Sequence, residues 1–212
     1  MKNASKGFTL IELIVVTAVF LFVVGAAVGI FISIVQHQRI ILVKQELSNQ
    51  VSYALEHMSK ALRMAGKDTD GRCLGTEFAR YNYLLTIKDI SNGVYTGIKF
   101  INQSDINETT GQPVCQEFYL DDDYPENPVL KEKKDGIPSA GIALISDKFM
   151  INSIRFGING EDGLLGGLEG ADGDNYIQPR VTIYLDVQVK GDDKQPAEKI
   201  QTTISQRDLN AQ

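Results

Sequence analysis

The longest pattern in the chain is an apolar run close to its N-terminus. From Leu13 to Val35 there are 23 consecutive residues without a charge, LIVVTAVFLFVVGAAVGIFISIV. As an α-helix at 1.5 Å per residue, this run would be roughly 34 Å long, enough to cross a hydrocarbon core of about 30 Å. A buried helix of a soluble protein is the alternative, but the rest of the chain would have to surround it on all sides. The run therefore predicts a membrane-spanning helix.

The charges beside this run predict its orientation. Lys2 and Lys6 precede it, and no comparable basic cluster follows it. By the positive-inside rule, the N-terminus stays in the cytoplasm and everything after Val35 is exported. A cleaved secretory signal would end in a small-residue site of the Ala-x-Ala kind, and none occurs before the polar residues 36–39. We expect the segment to be retained in the membrane.

The apolar run continues into an amphipathic pattern. No Pro or Gly occurs from Phe31 to Ala65, and apolar residues recur at three- and four-residue steps, the spacing of one helix face. Gly66 followed by a polar stretch is typical of a helix end. We expect one helix from about Thr9 to Ala65, apolar on all sides in its first half and on one face in its second. The predicted buried face is Leu47, Val51, Ala54, Leu55, Met58, Ala61, Leu62 and Ala65.

From Phe78 onward, the pattern changes to short alternating segments joined by turn-rich sequences. The clearest alternation is in VTIYLDVQV and KIQTTIS, as in antiparallel strands with one buried face. We expect an α+β fold, in which an antiparallel β-sheet head packs on the amphipathic half of the long N-terminal helix. The predicted strands are Tyr81–Lys88, Val94–Asn102, Val114–Leu120, Gly141–Ser146, Met150–Asn159, Arg180–Lys190 and Glu198–Ser205.

The charge of the chain is unevenly distributed. Its 212 residues include 21 Lys+Arg and 27 Asp+Glu, for a net charge of −6. Residues 1–43 hold three positive charges and one negative charge, so residues 44–212 carry 18 positive and 26 negative charges, a balance of −8. Nucleic-acid binding needs a basic footprint, so we expect no direct binding of nucleic acid by this acidic part.

The histidines do not indicate catalysis. His37 and His57 are the two histidines of the chain, and 20 residues of helix place them about 200° apart, so they cannot share a metal site on that helix. We interpret His37 as an interfacial residue and His57 as a solvated one. A Ser, Thr or Cys nucleophile needs a positioned base, and no histidine follows His57. We expect no enzymatic activity.

Glu12 is a charged residue with apolar residues on both sides. A carboxylate in the middle of a bilayer costs about 2.5–3.5 kcal/mol, so it normally has a function or a partner. Alternatively, Glu12 lies near the headgroups and is favoured by the dipole at the helix N-terminus. The spacing alone leaves both interpretations open.

The sequence KGFTLIE at positions 6–12, followed by about 20 apolar residues, resembles the N-terminal signature of type IV prepilins and pseudopilins. The resemblance implies cleavage between Gly7 and Phe8 by a prepilin peptidase on the cytoplasmic side, and N-methylation of Phe8. It also implies a partner for Glu12, the new amino terminus of a neighbouring subunit's Phe8. The implied organisation is a leader at 1–7, a transmembrane and assembly helix at 8–35, an amphipathic half at 36–66 and an exported β-rich head at 67–212.

A second stretch, ALRMAGKDTDGRC at positions 61–73, is similar to the region after the first helix in W-type minor pilins. The J-type minor pseudopilins of type II secretion resemble the chain in overall layout, and they close on a strand like QTTISQR at 201–207. Both resemblances imply a minor subunit. The matching residues of the W-type motif are Arg63, Ala65, Gly66, Gly71 and Cys73.

Two cysteines fall in the predicted exported head. An oxidising compartment permits a disulfide between Cys73 and Cys115. It would close a loop of about 43 residues, for which the chain-entropy model gives roughly 4 kcal/mol. Two unrelated buried thiols are the alternative, and we favour the bridge.

The stretch NGEDGLLGGLEGADGDN at 159–175 concentrates oxygen-bearing side chains among glycines. Calcium prefers such ligands, although the spacing does not fit an EF-hand loop. A solvated acidic loop is the alternative, and we expect no other cofactor. The candidate calcium ligands are Glu161, Asp162, Glu169, Asp172, Asp174 and Asn175.

The resemblance thus implies a minor pilin or pseudopilin of the inner membrane, with its head in the periplasm or at the cell surface. Its implied partners are other pilin subunits, the prepilin peptidase and methyltransferase, an inner-membrane assembly platform and membrane lipid. The role would be pilus biogenesis, DNA uptake or type II secretion. The alternative is a non-polymerising, single-pass membrane protein whose extracytoplasmic head binds a ligand or surface.

Overall fold

The computed structural model describes residues 7–79, 81–89, 93–122, 127–135, 141–159, 178–191 and 197–207. One long helix, α1, spans Leu10–Arg63. The chain divides into two compact units, residues 1–46 and residues 47–212.

The first unit contains the start of α1. Its apolar residues occupy every side of the helix, and none of the described residues before Leu47 is buried. This surface fits the predicted membrane segment, because such side chains need lipid or other helices around them.

The second unit contains the end of α1, which packs on β-strands. The buried helix residues recur at the spacing of one face, as the sequence predicted: Leu47, Val51, Ala54, Met58, Ala61 and Leu62. Leu55 is partly buried against the same core. Fully burying a side chain of leucine size contributes about 1.5–3 kcal/mol, so this face fixes the helix end on the head.

The helix ends earlier than the sequence predicted. Its last residue is Arg63, and Ala65–Gly66 form a two-residue strand, β1, which pairs with Ile101 and Asn102. Gly66 does not form the left-handed cap that glycine often provides after a helix, since it has no positive φ. Pairing with a neighbouring strand, rather than a glycine cap, ends the helix.

The described strands form two antiparallel sheets, where the sequence had predicted one. The strands after β1 are β2 Tyr83–Lys88, β3 Tyr95–Ile106, β4 Pro113–Asp121, β5 Val129–Lys134, β6 Ile142–Ala143, β7 Phe149–Asn159, β8 Arg180–Val189 and β9 Glu198–Ser205. In the first sheet, the order is β1-β3-β4-β5-β6, and β2 also pairs with β3. The second sheet has the order β7-β8-β9.

Two strands differ from the prediction. β5 was missed because its sequence VLKEKK is mostly charged, yet Leu130 and Glu132 are both buried. The predicted strand Gly141–Ser146 is reduced to Ile142–Ala143, which pairs with Lys131 and Glu132 in the middle of β5.

One core joins these elements. The buried face of α1 and both sheets contribute to a single cluster of buried apolar side chains. Its largest members include Tyr83, Phe100 and Phe118, whose rings follow one another at centroid distances of 6.2 and 5.8 Å. The architecture is therefore α+β, as predicted, with a long N-terminal apolar helix and an antiparallel β head.

Candidate processing and assembly site

The residues on either side of the predicted cleavage bond lie just before the first turn of α1. Phe8 is 79% exposed, and a Cβ added at Gly7 would meet no atom within 4 Å. The fold of this chain therefore makes no steric demand for glycine at position 7. A requirement for glycine there has to come from a partner that approaches the backbone closely, as a peptidase does.

Thr9 and Glu12 form a capping box at the start of α1. The Thr9 backbone N–H and the Thr9 hydroxyl both donate to Glu12 Oε2, at 3.3 and 3.2 Å. In return, the Glu12 backbone N–H donates to Thr9 Oγ1 at 3.4 Å. This reciprocal arrangement satisfies donors that the first turn of a helix leaves without partners.

Thr9 is a helix-capping residue that the sequence analysis did not single out. The signal was present, because a Thr followed three residues later by Glu, just before an apolar run, is the sequence pattern of a capping box. The box gives the dipole interpretation of Glu12 a structural basis. It also leaves Glu12 Oε1 without a hydrogen bond from the described residues, so that oxygen can accept one from another subunit.

The helix that follows satisfies the requirements of a membrane span. It is the one helix among the described residues that is long and apolar enough to cross a bilayer, and its most apolar window is 0% buried. This finding, together with the N-terminal sequence, fits a membrane-anchored protein.

A line of buried polar side chains crosses the first sheet beneath α1. On adjacent strands, Asn102 Nδ2 donates to Gln116 Oε1 at 2.7 Å, and Gln116 Nε2 donates to Glu132 Oε1. Glu132 Oε2 lies 3.0 Å from His57 Nε2 on α1. Because an unpaired polar group in this core would be costly, the line fixes the position of the helix over β3, β4 and β5.

His57 is therefore not the solvated residue that the sequence suggested. Its side chain is 35% exposed, contacts Glu132 and lies edge-on to the Phe118 ring at 6.1 Å. His37, by contrast, is exposed. The sequence could not reveal the partner of His57, because Glu132 is 75 residues away and lies in the strand that was missed.

Lys134 extends the charged end of this line. Its Nζ lies 2.9 Å from Asp105 and 3.3 Å from Glu132. Burial by itself lowers the pKa of Lys134, but the carboxylates of Asp105 and Glu132 outweigh it and hold that pKa above its usual value. These groups are engaged with one another, so their arrangement serves to hold the head together.

The stretch at 61–73 contains the end of α1, strand β1 and most of the loop that follows. Asp68 is buried, and its carboxylate accepts hydrogen bonds from the backbone N–H groups of Arg72, Cys73 and Leu74 at 3.0, 2.8 and 2.7 Å. Gly71 has φ +65°, and a Cβ there would lie 2.7 Å from Thr76 Cα, so glycine is required by the backbone itself. Asp68 and Gly71 thus fix the conformation of this loop.

The predicted disulfide is present. Cys73 and Cys115 are bonded, with their Cα atoms 5.4 Å apart and their positions separated by 42 in the sequence. Both residues belong to a small buried cluster beside Leu74 and Ile101. The bridge therefore ties the loop after α1 to β4 across the first sheet.

The acidic stretch considered for calcium lies outside the described residues, except for Asn159, which ends β7. Within the described residues, no group of three or more His, Cys, Asp or Glu side chains is arranged to hold a metal ion.

Comparison with known proteins bears on the N-terminal segment. The family described as "Prokaryotic N-terminal methylation motif" matches residues 2–28. The match contains Gly7, Phe8, Thr9 and Glu12 together with the first part of α1. A search of curated proteins and a search of solved structures found no match. The chain thus carries the motif of a type IV pilin-like precursor, which implies processing by a prepilin peptidase and assembly with other pilin subunits.

Proposed function

We propose that this chain is a minor pilin or pseudopilin subunit of a type IV pilus-like filament or its tip complex. Prepilin peptidase would cleave between Gly7 and Phe8, and Phe8 would then be methylated. The observation that carries the proposal is the exposed Gly7-Phe8 bond directly before the Thr9–Glu12 capping box and an apolar helix. Large apolar side chains from Leu10 to Ile34 are between 41% and 78% exposed, which suits lipid before assembly and neighbouring helices after it.

The proposed location is the inner membrane, with the N-terminus in the cytoplasm and the head in the periplasm or at the cell surface. An assembly platform in that membrane would add the subunit to a filament used in pilus biogenesis, DNA uptake or type II secretion. Among minor subunits we favour the W-type over the J-type, because the residues of its motif lie together where α1 ends: Arg63 is the last residue of α1, Ala65–Gly66 form β1, and Gly71 and Cys73 lie in the loop that follows. That loop contains Asp68, Gly71 and the disulfide.

We infer a structural role rather than catalysis. The buried polar groups on β3, β4 and β5 hydrogen-bond one another and His57, and this leaves them no free base or nucleophile. The exposed helix supports a function in assembly.

The test of this proposal is the mature N-terminus. Mass spectrometry of protein from the membranes of a host with a prepilin peptidase should find methylated Phe8 as the first residue. Gly7→Val should abolish this processing because the added side chain blocks access to the bond. Gly25→Val is the matched control, since a Cβ at Gly25 also meets no atom within 4 Å and the residue lies far from the bond.

Two results would contradict the proposal. Wild-type protein that keeps Met1 would favour the non-polymerising membrane anchor. Methylated Phe8 in the Gly7→Val variant would show that cleavage does not depend on the predicted recognition sequence.

A further inference from the structure

A positively charged groove of about 650 Å³ lies where α1 ends on the head. We call it the basic groove. Its lining combines three basic and three hydroxyl side chains: Lys60, Arg63, Arg207, Ser104, Thr203 and Ser205. Among the described residues, no aspartate or glutamate lines it.

The fold brings two arginines from distant parts of the sequence to this groove. Arg63 is the last residue of α1, and the backbone N–H of Arg207 donates to the Arg63 carbonyl at 2.9 Å. The neighbouring Gln206 is buried, and its Nε2 donates to the Ala65 carbonyl at 2.6 Å. The backbone positions of both arginines are therefore fixed with respect to one another, while their side chains remain exposed.

The two guanidinium groups are available to a ligand. Lys60 is held by Glu56 at 2.8 Å, whereas neither Arg63 nor Arg207 forms an ion pair within the described part of the chain. A guanidinium is a planar fork of donors that matches a carboxylate in a bidentate way. Hydroxyl groups on β3 and β9 add further donors beside them.

A purely structural explanation covers only part of this arrangement. Basic residues in the last turn of a helix interact favourably with its dipole, which accounts for Lys60 and Arg63. It does not account for Arg207, which follows β9 in the chain, or for a groove between the two elements. A concentration of positive charge is also unusual in a region whose formal balance is −8.

We propose that the basic groove binds a carboxylate-rich segment of a neighbouring pilin-like subunit. This inference rests on the proposed function and specifies the charges that meet in one contact between the heads of two neighbouring subunits. Subunits as acidic as this one supply such segments; in this chain, one example is the sequence DDYPE at 122–126. Nucleic acid fits less well, because a phosphate backbone needs an extended basic stripe and would be repelled by the acidic head around the groove.

Binding of an acidic peptide tests the chemistry of the groove. The full-length protein in detergent micelles is titrated with fluorescent hexaglutamate at low salt, with hexaglutamine as the neutral peptide. We expect hexaglutamate to bind, hexaglutamine not to bind, and Arg63→Gln combined with Arg207→Gln to weaken hexaglutamate binding at least about tenfold. Both side chains are exposed, so the variant should keep the wild-type melting temperature.

A double variant with the same change in charge serves as the matched control. Arg155→Gln with Lys99→Gln removes two positive charges from other parts of the head; Arg155 lies over the Tyr184 ring at 5.7 Å, and neither residue lines the basic groove. Unchanged hexaglutamate binding in this control supports a defined site. Equal weakening in both double variants would overturn the proposal, because net charge would then explain the effect. Tighter binding of a single-stranded oligonucleotide than of hexaglutamate would overturn it in favour of a nucleic acid.

A second experiment separates this proposal from the proposed function. Filaments are recovered from cells that produce the wild type or either double variant at equal membrane levels. We expect every variant to be processed to Phe8 and recovery of the groove variant to fall at least about fivefold, while the control stays at the wild-type level. Normal recovery of the groove variant would overturn the groove contact and leave the proposed function intact. Absence of wild-type processing would instead overturn the proposed function.

Discussion

At the residue scale, the two oxygens of the Glu12 carboxylate can bind two different partners, one in its own subunit and one in a neighbouring subunit. Within one subunit, it closes the capping box with Thr9 through Oε2. In a filament, its other oxygen is proposed to face the Phe8 amine of a neighbour. Glutamine can replace glutamate in a capping box, but it cannot neutralise an ammonium group.

This difference makes Glu12→Gln and Glu12→Leu an informative pair. Both should insert into the membrane at least as well as the wild type, because they remove a charge from an apolar helix. Both should also impair assembly, since an unpaired buried ammonium typically costs about 3–5 kcal/mol. Co-purification with filament subunits at matched membrane levels measures this effect. Normal recovery of Glu12→Gln alone would reduce the role of Glu12 to capping, and normal recovery of both would remove any role in assembly.

Tyr83 couples the head to the last turn of α1 and should make stability sensitive to alkaline pH. Its hydroxyl donates to the Leu62 carbonyl at 2.7 Å, and burial raises the pKa of Tyr83. Above pH of about 10, tyrosine in the unfolded chain loses its proton while folded Tyr83 keeps it, so stability falls as pH rises. Lys134, with its raised pKa, acts in the same direction.

The Tyr83→Phe variant tests this coupling. At neutral pH, it should lower the free energy of unfolding by about 1–2 kcal/mol, because the buried Leu62 carbonyl loses its donor. Between about pH 10 and 11.5, its stability should fall less steeply than that of the wild type. Urea unfolding at several pH values measures both effects. Tyr53→Phe, at a 69% exposed tyrosine on α1, should change neither. An alkaline slope in Tyr83→Phe equal to that of the wild type would contradict the assignment.

At the element scale, the end of α1 and the loop that follows it are attached to the β-sheets in two ways, by the buried face of α1 and by the disulfide. The helix contributes apolar contacts, whereas Cys73–Cys115 restrains the loop that follows it. Replacing both cysteines with alanine should lower the free energy of unfolding by roughly 3–4 kcal/mol, according to the chain-entropy model. Denaturant unfolding with and without a reductant measures this loss.

The reductant supplies the internal control for this prediction. It should destabilise the wild type to about the level of the double alanine variant and leave that variant unchanged. If reduction had no effect on the wild type, the bridge would contribute little to stability despite joining the loop to β4.

At the scale of the whole molecule, the membrane segment and the head are expected to be thermodynamically separate. None of the described residues before Leu47 is buried, so removing residues 1–35 deletes no part of the core. The chain 36–212 should therefore be water-soluble, and it should melt within about 5 °C of the full-length protein in detergent, a shift that corresponds to about 1 kcal/mol. Circular dichroism measures the transition; an unfolded or aggregated product would mean that the head depends on the apolar helix.

The sequence by itself determined the elements whose cause is local. The uncharged run predicted the exposed first half of α1, the three- and four-residue spacing predicted the buried residues Leu47–Leu62, and strict alternation predicted β8 and β9. The sequence KGFTLIE carried the candidate processing and assembly residues. A local pattern is sufficient there, because a membrane span, a helix face and a motif each depend on neighbours in the chain.

The tertiary structure decided what depends on distant partners. β5 is a strand despite its charges because the buried Glu132 carboxylate hydrogen-bonds with His57 and Gln116. The helix stops at Arg63 because the following residues pair with β3. The basic groove exists only because the residues that follow β9 lie against the end of α1. Each outcome is set by contacts between residues far apart in the sequence, and the periodicity of a single segment carries no information about such contacts.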